Sequence, residues 1–245
     1  MKNRVLLTAK KLFLVSAILI SSGCSSDTNV APEILKPFKI VAFGDSTTAT
    51  RSTIEAVYTQ RLPYLLDGIG IKNIVINAGV GGSHTGFLTD NSRHNVQHAR
   101  DRFSYAVLGK SPDLVIISFG INDSWIDEGQ TESRISLEKY EQKLRYMIDE
   151  LTQKEVDIIL LTPNAFGNRY ESWRYERTHS YAEKVRTIAS ELNIILIDQW
   201  KMFEEYGAID GQKIDDLLID GMHPNDKWHL QLAEMLAVEI TALIE

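Results

Sequence analysis

The amino-acid sequence predicts an α/β domain built on a parallel sheet of about five strands, and three observations predict it. Five short apolar runs recur along the 245 residues, each rich in Ile, Val and Leu and none strictly alternating, the pattern of strands covered on both faces. The segments between them carry apolar residues at helical spacing. Strand then helix, repeated, is the order that right-handed crossovers require. With 44% hydrophobic and 24% charged residues the chain suits one large core, and it shows no internal repeat or low-complexity block.

The runs are FKIVAF (Phe38–Phe43), NIVINA (Asn73–Ala78), LVIISF (Leu114–Phe119), DIILLT (Asp157–Thr162) and NIILID (Asn193–Asp198). After the third run, Leu137, Tyr140, Leu144, Ile148 and Leu151 share one helical face; Tyr181, Val185, Ile188 and Leu192 do so before the fifth. Ala233, Leu236, Ala237, Ile240 and Leu243 form a third such face near the C-terminus. In an open parallel sheet, ligands bind beyond the carboxyl ends of the strands, near the point where strand order reverses, so chemistry is expected in the polar residues after each run.

The N-terminus reads differently. Lys2, Arg4, Lys10 and Lys11 precede the apolar run LFLVSAILI (Leu12–Ile20), and SSGC follows, the n, h and c regions of an export signal. A membrane span needs about twenty apolar residues, more than this run supplies. The only cysteine, Cys24, ends the small-residue cluster. This arrangement resembles the lipobox of bacterial lipoproteins, with Ser21 where that pattern favours leucine. The resemblance implies lipidation at Cys24, a signal peptide over 1–23, a lipidated tether over 24–36 and a folded domain over 37–245. It places the protein outside the cytoplasm, facing the periplasm or cell surface, and attached to a membrane through the lipid anchor only. A formal net charge of −7 argues against nucleic acid, whose affinity rests on Lys and Arg neutralising phosphates.

Four polar segments follow the strand-like runs: FGDST with Ser46, NAGVGG with Gly79, Gly81 and Gly82, GIND with Asn122 and Asp123, and DGMHPN with Asp220 and His223. A serine hydroxyl is a weak nucleophile unless an imidazole takes its proton, and the imidazole works best when a carboxylate fixes its tautomer. Glycine loops and asparagine amides supply N–H donors for the oxyanion of a tetrahedral intermediate. Each residue also has a structural reading. Ser46 suits a helix cap, the glycines suit a tight turn, and Asp45 suits a turn-holding carboxylate.

In order and spacing the four segments resemble the blocks of the SGNH, or GDSL, hydrolases, and the resemblance spans nearly all of the chain after Cys24. It implies a flavodoxin-like three-layer α/β/α sandwich, no metal or organic cofactor, and a serine ester hydrolase. Residue by residue it implies Ser46 as nucleophile, His223 as general base and acid, and Asp220 as its orienting carboxylate. The implied oxyanion hole comprises the Ser46 N–H, the Gly82 N–H and the Asn122 side-chain amide. The GDSTT form resembles that of carbohydrate acetylesterases, which implies an acetylated carbohydrate as substrate; lysophospholipase and thioesterase activities occur in the same family.

Other patterns compete. Asp226 and His229 repeat the Asp-x-x-His spacing, but after Pro224 they fit a surface pair inside the last helix. His94 and His98, four apart, suit one helix face and conceivably a metal, although no third ligand accompanies them. In the segment Asn164–Ser180, Tyr170, Trp173, Arg174 and Tyr175 suit either a wall against a sugar ring or acyl chain, or a lid packed on itself. Two rival functions remain: a metal-dependent phosphoesterase using Asp45, Asn122, Asp123, Asp220 and His223, and a non-catalytic glycan-binding lipoprotein.

Overall fold

The computed structural model describes residues 36–244. Cys24, the export-signal pattern and nearly all of the tether lie outside them. Five strands form one parallel sheet: β1 (Phe38–Gly44), β2 (Asn73–Gly79), β3 (Leu114–Ser118), β4 (Asp157–Leu161) and β5 (Ile195–Ile197), in the order β2-β1-β3-β4-β5. Six helices accompany them: α1 (Tyr58–Gly68), α2 (Ala99–Ala106), α3 (Leu137–Thr152), α4 (Ser172–Leu192), α5 (Gln199–Gly207) and α6 (Asp226–Ile244). All five apolar runs are therefore strands, and the three expected helical faces belong to α3, α4 and α6.

The continuous apolarity of the strands has its reason in the layers. Val41, Phe43, Val115, Ile117, Ile158 and Leu160 point to one side, where α2, α3 and α4 cover them. Their neighbours Ile40, Ala42, Leu114, Ile116, Ile159 and Leu161 point to the other, under α1 and α6. The fold is a three-layer α/β/α sandwich. A third cluster, around Trp200, Phe203, Leu217 and Trp228, seats α5 and the segment leading to α6 beside the sheet.

The chain leaves β1 for β2 on one side and then crosses to β3 on the other, so the order reverses between β1 and β3. That crevice is the expected ligand position in an open sheet. The turn after β1 and the loop after β3 flank it.

Helix α6 brings the end of the chain back to this rim by docking on α1. Asp226 accepts the N–H groups of Glu55 and Ala56 and pairs with Arg61 at 2.6 Å. His229 is buried, its ring stacked 6.1 Å from that of Tyr58, and its Nδ1 accepts the Tyr58 N–H at 3.2 Å. Asp226 and His229 are thus not the surface pair their spacing suggests. Each binds α1 or the residues just before it, His229 in the interior and Asp226 at the partly exposed edge of the same contact.

Burial and the nearby Arg51 and Arg61 push the His229 imidazole down from 6.5 to about 4. The unfolded chain therefore takes up this proton first, and the stability gained from neutral His229 is complete above about pH 6.5 and lost as the pH falls toward about 4. Urea denaturation in steps across that window is expected to show wild type losing ground to His229→Gln as acid is added. A difference that stays constant with pH would contradict the linkage.

Candidate active site

Four chain segments meet above the crevice. Gly44 ends β1 where no side chain fits, since a Cβ there would lie 2.2 Å from Thr48 Oγ1 and 2.8 Å from the Ser118 carbonyl. Asp45 turns inward and accepts the N–H and hydroxyl of Thr47 at 2.8 and 2.9 Å. Burial pushes its carboxyl upward against those two hydrogen bonds and the nearby His223. Ser46 is left at the cleft.

His223 and Asp220 reach Ser46 from the loop before α6. His223 Nε2 lies 3.0 Å from Ser46 Oγ, and His223 Nδ1 lies 2.7 Å from Asp220 Oδ2. The other oxygen of Asp220 accepts the N–H groups of His223 and Met222 at 2.8 and 3.1 Å. Partial burial works to raise the Asp220 carboxyl, but these bonds and the charge of His223 outweigh it, and its pKa lies below the ordinary 3.8. An ionised Asp220 accepts from Nδ1–H, which leaves Nε2 as the acceptor facing the serine hydroxyl. The loop itself is pinned from the β4 side: Asn164 donates to the Met222 carbonyl and Gly167 N–H to the Gly221 carbonyl, each at 2.8 Å.

Three donors border the same space. Gly82 lines the cleft with Ser46 and Asn122, whereas Gly79 ends β2. Only glycine fits at 82, because φ is +76° and a Cβ would sit 2.8 Å from the His94 ring. Among the described residues the N–H groups of Ser46 and Gly82 donate to no acceptor. Asn122 Nδ2 is buried and also unpartnered; the amide lies close enough to Asp45 to lower the pKa of its carboxyl slightly, against the effect of burial. Asn122 Oδ1, by contrast, accepts from Arg134 Nη1 at 3.0 Å. Arg134 is in turn fixed by hydrogen bonds to both oxygens of Asp127, the shortest 2.7 Å.

The glycine loop after β2 is braced from inside. Asp123 accepts the N–H and hydroxyl of Thr85 at 2.8 and 2.5 Å, and burial pushes its carboxyl up to about 7 despite them. His98 does not share a helix face with His94. It caps the start of α2 and stacks on His84 at 3.5 Å, and its Nδ1 accepts the His84 N–H. His94 stays exposed above Gly82. Burial, and the neighbouring His98, push His84 down to about 4. Among the described residues no group of three or more His, Cys, Asp and Glu is placed to hold a metal ion.

The cleft has a volume of about 850 Å³. Trp173 and Arg174 line it, as the aromatic segment suggests, but Tyr170 and Tyr175 do not. Tyr170 stands behind Trp125, 5.9 Å from its ring, and Tyr175 packs on Trp200 with its hydroxyl on Glu204. The segment is helical from Ser172 onward, so Trp173, Arg174 and Tyr175 fan out around α4, while Tyr170 lies ahead of it, and the four cannot form one wall. The other indole of the cleft, Trp125, was not anticipated, although it follows Asn122 by three residues. The Arg174 guanidinium lies between the two indoles, 4.0 Å from the Trp125 ring and 4.3 Å from Trp173. Arg51, Arg93 and Arg134 complete a cationic lining that sequence reasoning also missed.

Comparison with known proteins agrees with this architecture. The chain is 31% identical over 202 residues to the uncharacterized lipoprotein YqeF of Bacillus subtilis (strain 168), covering 74% of this chain and 77% of the relative. It is 29% identical over 196 residues to an acetylxylan esterase of Geobacillus stearothermophilus, covering 76% of each. Among solved structures, the acetylxylan esterase Axe2 of Geobacillus stearothermophilus superposes with a TM-score of 0.67 at 26% identity, over 82% of this chain and 93% of that one. A lipase/acylhydrolase from Enterococcus faecalis does so with a TM-score of 0.66 at 26% identity, over 83% and 95%. Residues 42–230 match the GDSL-like lipase/acylhydrolase family, and the chain belongs to it.

Proposed function

We propose that the protein is an exported, lipid-anchored serine ester hydrolase that removes acetyl or other short acyl groups from carbohydrate. The observation that carries the chemistry is the unbroken hydrogen-bond chain from Asp220 through His223 to Ser46 at the cleft. The likeness to acetylxylan esterases and the two indoles of the cleft support a carbohydrate substrate. The export-signal pattern ending at Cys24 and the lipoprotein relative support anchoring.

In this reading His223 Nε2 takes the Ser46 proton as Oγ attacks the acyl carbon, and Asp220 stabilises the imidazolium that forms. The carbonyl oxygen becomes an oxyanion, received by the N–H groups of Ser46 and Gly82 and by Asn122 Nδ2. Collapse expels the sugar hydroxyl, which leaves with the proton from His223. A water then attacks the acyl-serine with His223 again as base, releasing the carboxylic acid and restoring Ser46. Arg134 has a positioning role, since its hold on Asn122 Oδ1 keeps the opposite edge of the amide, Nδ2, turned to the oxyanion.

Ser46→Ala is expected to lower hydrolysis of p-nitrophenyl acetate by a factor on the order of 10⁴ or more with the circular dichroism spectrum unchanged. Full retained turnover would end the serine mechanism. Parallel assays on acetylated xylan, long-chain acyl esters and acyl thioesters test the substrate class, and the highest kcat/KM is expected on the acetylated glycan. A higher value on lysophospholipid or thioester would replace the carbohydrate reading with one of those two.

Asn122→Ala is expected to reduce kcat by about 10²- to 10³-fold with little change in KM, because its bond strengthens only as charge develops. Arg134→Gln should reduce kcat on the order of 10- to 100-fold through misplacement of that amide, and combined with Asn122→Ala it should add little. A change confined to KM in either variant would remove the residue from the oxyanion site.

A further inference from the structure

The arginines of the cleft are not equally occupied. Arg134 is committed to Asp127 and Asn122, and Arg174 pairs with Glu171 at 2.9 Å. Arg93 reaches Asp127 only at 3.8 Å, through the oxygen that Arg134 already holds at 2.7 Å. Arg51 forms no ion pair among the described residues. Its Nη2 donates to the Ser46 carbonyl at 3.0 Å, and the rest of its half-buried guanidinium borders the cleft. The nearest acids, Asp220 and Asp45, favour its charged form from a distance but make no ion pair with it: Asp220 is bonded to His223, and Asp45 to Thr47. Four arginines thus line the cleft with two carboxylates, Asp127 and Glu128.

This cationic lining stands in a chain whose formal net charge is −7. The overall charge repels anions, but at physiological ionic strength it is screened beyond about 8 Å. A guanidinium at contact distance and partly withdrawn from water is screened far less. The local charge therefore decides which ligand the cleft accepts. A guanidinium offers a planar fork of donors that matches a carboxylate, and indole walls fit the face of a sugar ring.

We infer that the cleft takes an acyl ester of an acidic sugar, a uronic acid whose carboxylate is bound by Arg51 while its acylated hydroxyl lies at Ser46. The inference rests on the carbohydrate ester hydrolase reading and narrows its substrate class. Arg51 is the specificity-determining residue, and Arg93, weakly held, adds to the positive charge of the same cleft.

The test compares three O-acetylated methyl glycosides that differ only at C6: the glucoside, its uronic acid and its 6-phosphate. For wild type, kcat/KM for the uronate is expected to exceed that for the glucoside by on the order of tenfold, the worth of one charge-assisted hydrogen bond. The excess should lie mainly in KM and shrink as salt is raised. The quantity read in variants is the uronate-to-glucoside ratio, which a general loss of activity does not change. Arg51→Gln should bring it close to one, and Arg51→Lys should retain part of it. A wild-type ratio near one, or a ratio unmoved by Arg51→Gln, would overturn the acidic-sugar inference and leave the hydrolase reading standing. A preference for the phosphate would overturn the carboxylate assignment. Turnover of p-nitrophenyl acetate with none of any glycoside would overturn the carbohydrate reading beneath it.

Discussion

The hydrogen bond between His223 and Ser46 joins residues 177 positions apart, and most of the architecture serves to make it. Ser46 is placed by β1, which lies between β2 and β3 in the sheet. His223 is placed only when α6 has docked on α1, when Asn164 and Gly167 have pinned the loop from the β4 side, and when Leu218 and Pro224 have bridged. A contact across so long a separation is held only while all of these supports stay in place. Asp226 and His229 matter for this reason. They tie the first turn of α6 to the start of α1, a few residues from the imidazole they help to locate.

A second set of interior polar groups shapes the donors opposite. The Arg102 guanidinium is buried above the Phe43 ring and donates to the carbonyls of Gly44 and Ala78, so the ends of β1 and β2 are held by one side chain. Burial lowers its pKa to about 10, well above neutral pH, so the cation persists. Asp123 ties the loop after β3 to Thr85 in the loop after β2, and the stacked His84 and His98 fill the interior of that loop. These contacts fix the segments that carry Gly82 and Asn122, as the proposed oxyanion site requires.

Much of this was legible in the sequence, and the limits have physical causes. The strands were readable because burial on both faces leaves an unbroken apolar run, and the segments of Ser46 and Asn122 because each directly follows such a run; Asp220 and His223 lie beyond α5 and stood out only through the resemblance carried by DGMHPN. The arginines were not. A single Arg at 51, 102 or 134 has the same chemistry whether it faces solvent or satisfies buried carbonyls, and no period or spacing separates the cases. Tyr175 leaves the cleft because α4 begins at Ser172 and helical phase sends it to Trp200 while Trp173 and Arg174 stay at the cleft; Tyr170, ahead of the helix, packs on Phe166 and Trp125 instead. His98 and His229 looked like surface residues because the partners that bury them, His84 and Tyr58, are distant in sequence.

Both described ends of the chain leave on the floor of the sheet. Lys36 meets Asp113, just ahead of β3, and Leu243 borders Asp157 and Ile195 at the starts of β4 and β5. The seven residues of β1 then separate that floor from the mouth by about 20 Å. A polymer too large to enter any pocket can therefore lie across the open side without meeting either described end. A support that holds the domain directly at residue 36 or 244 leaves the mouth turned away from it.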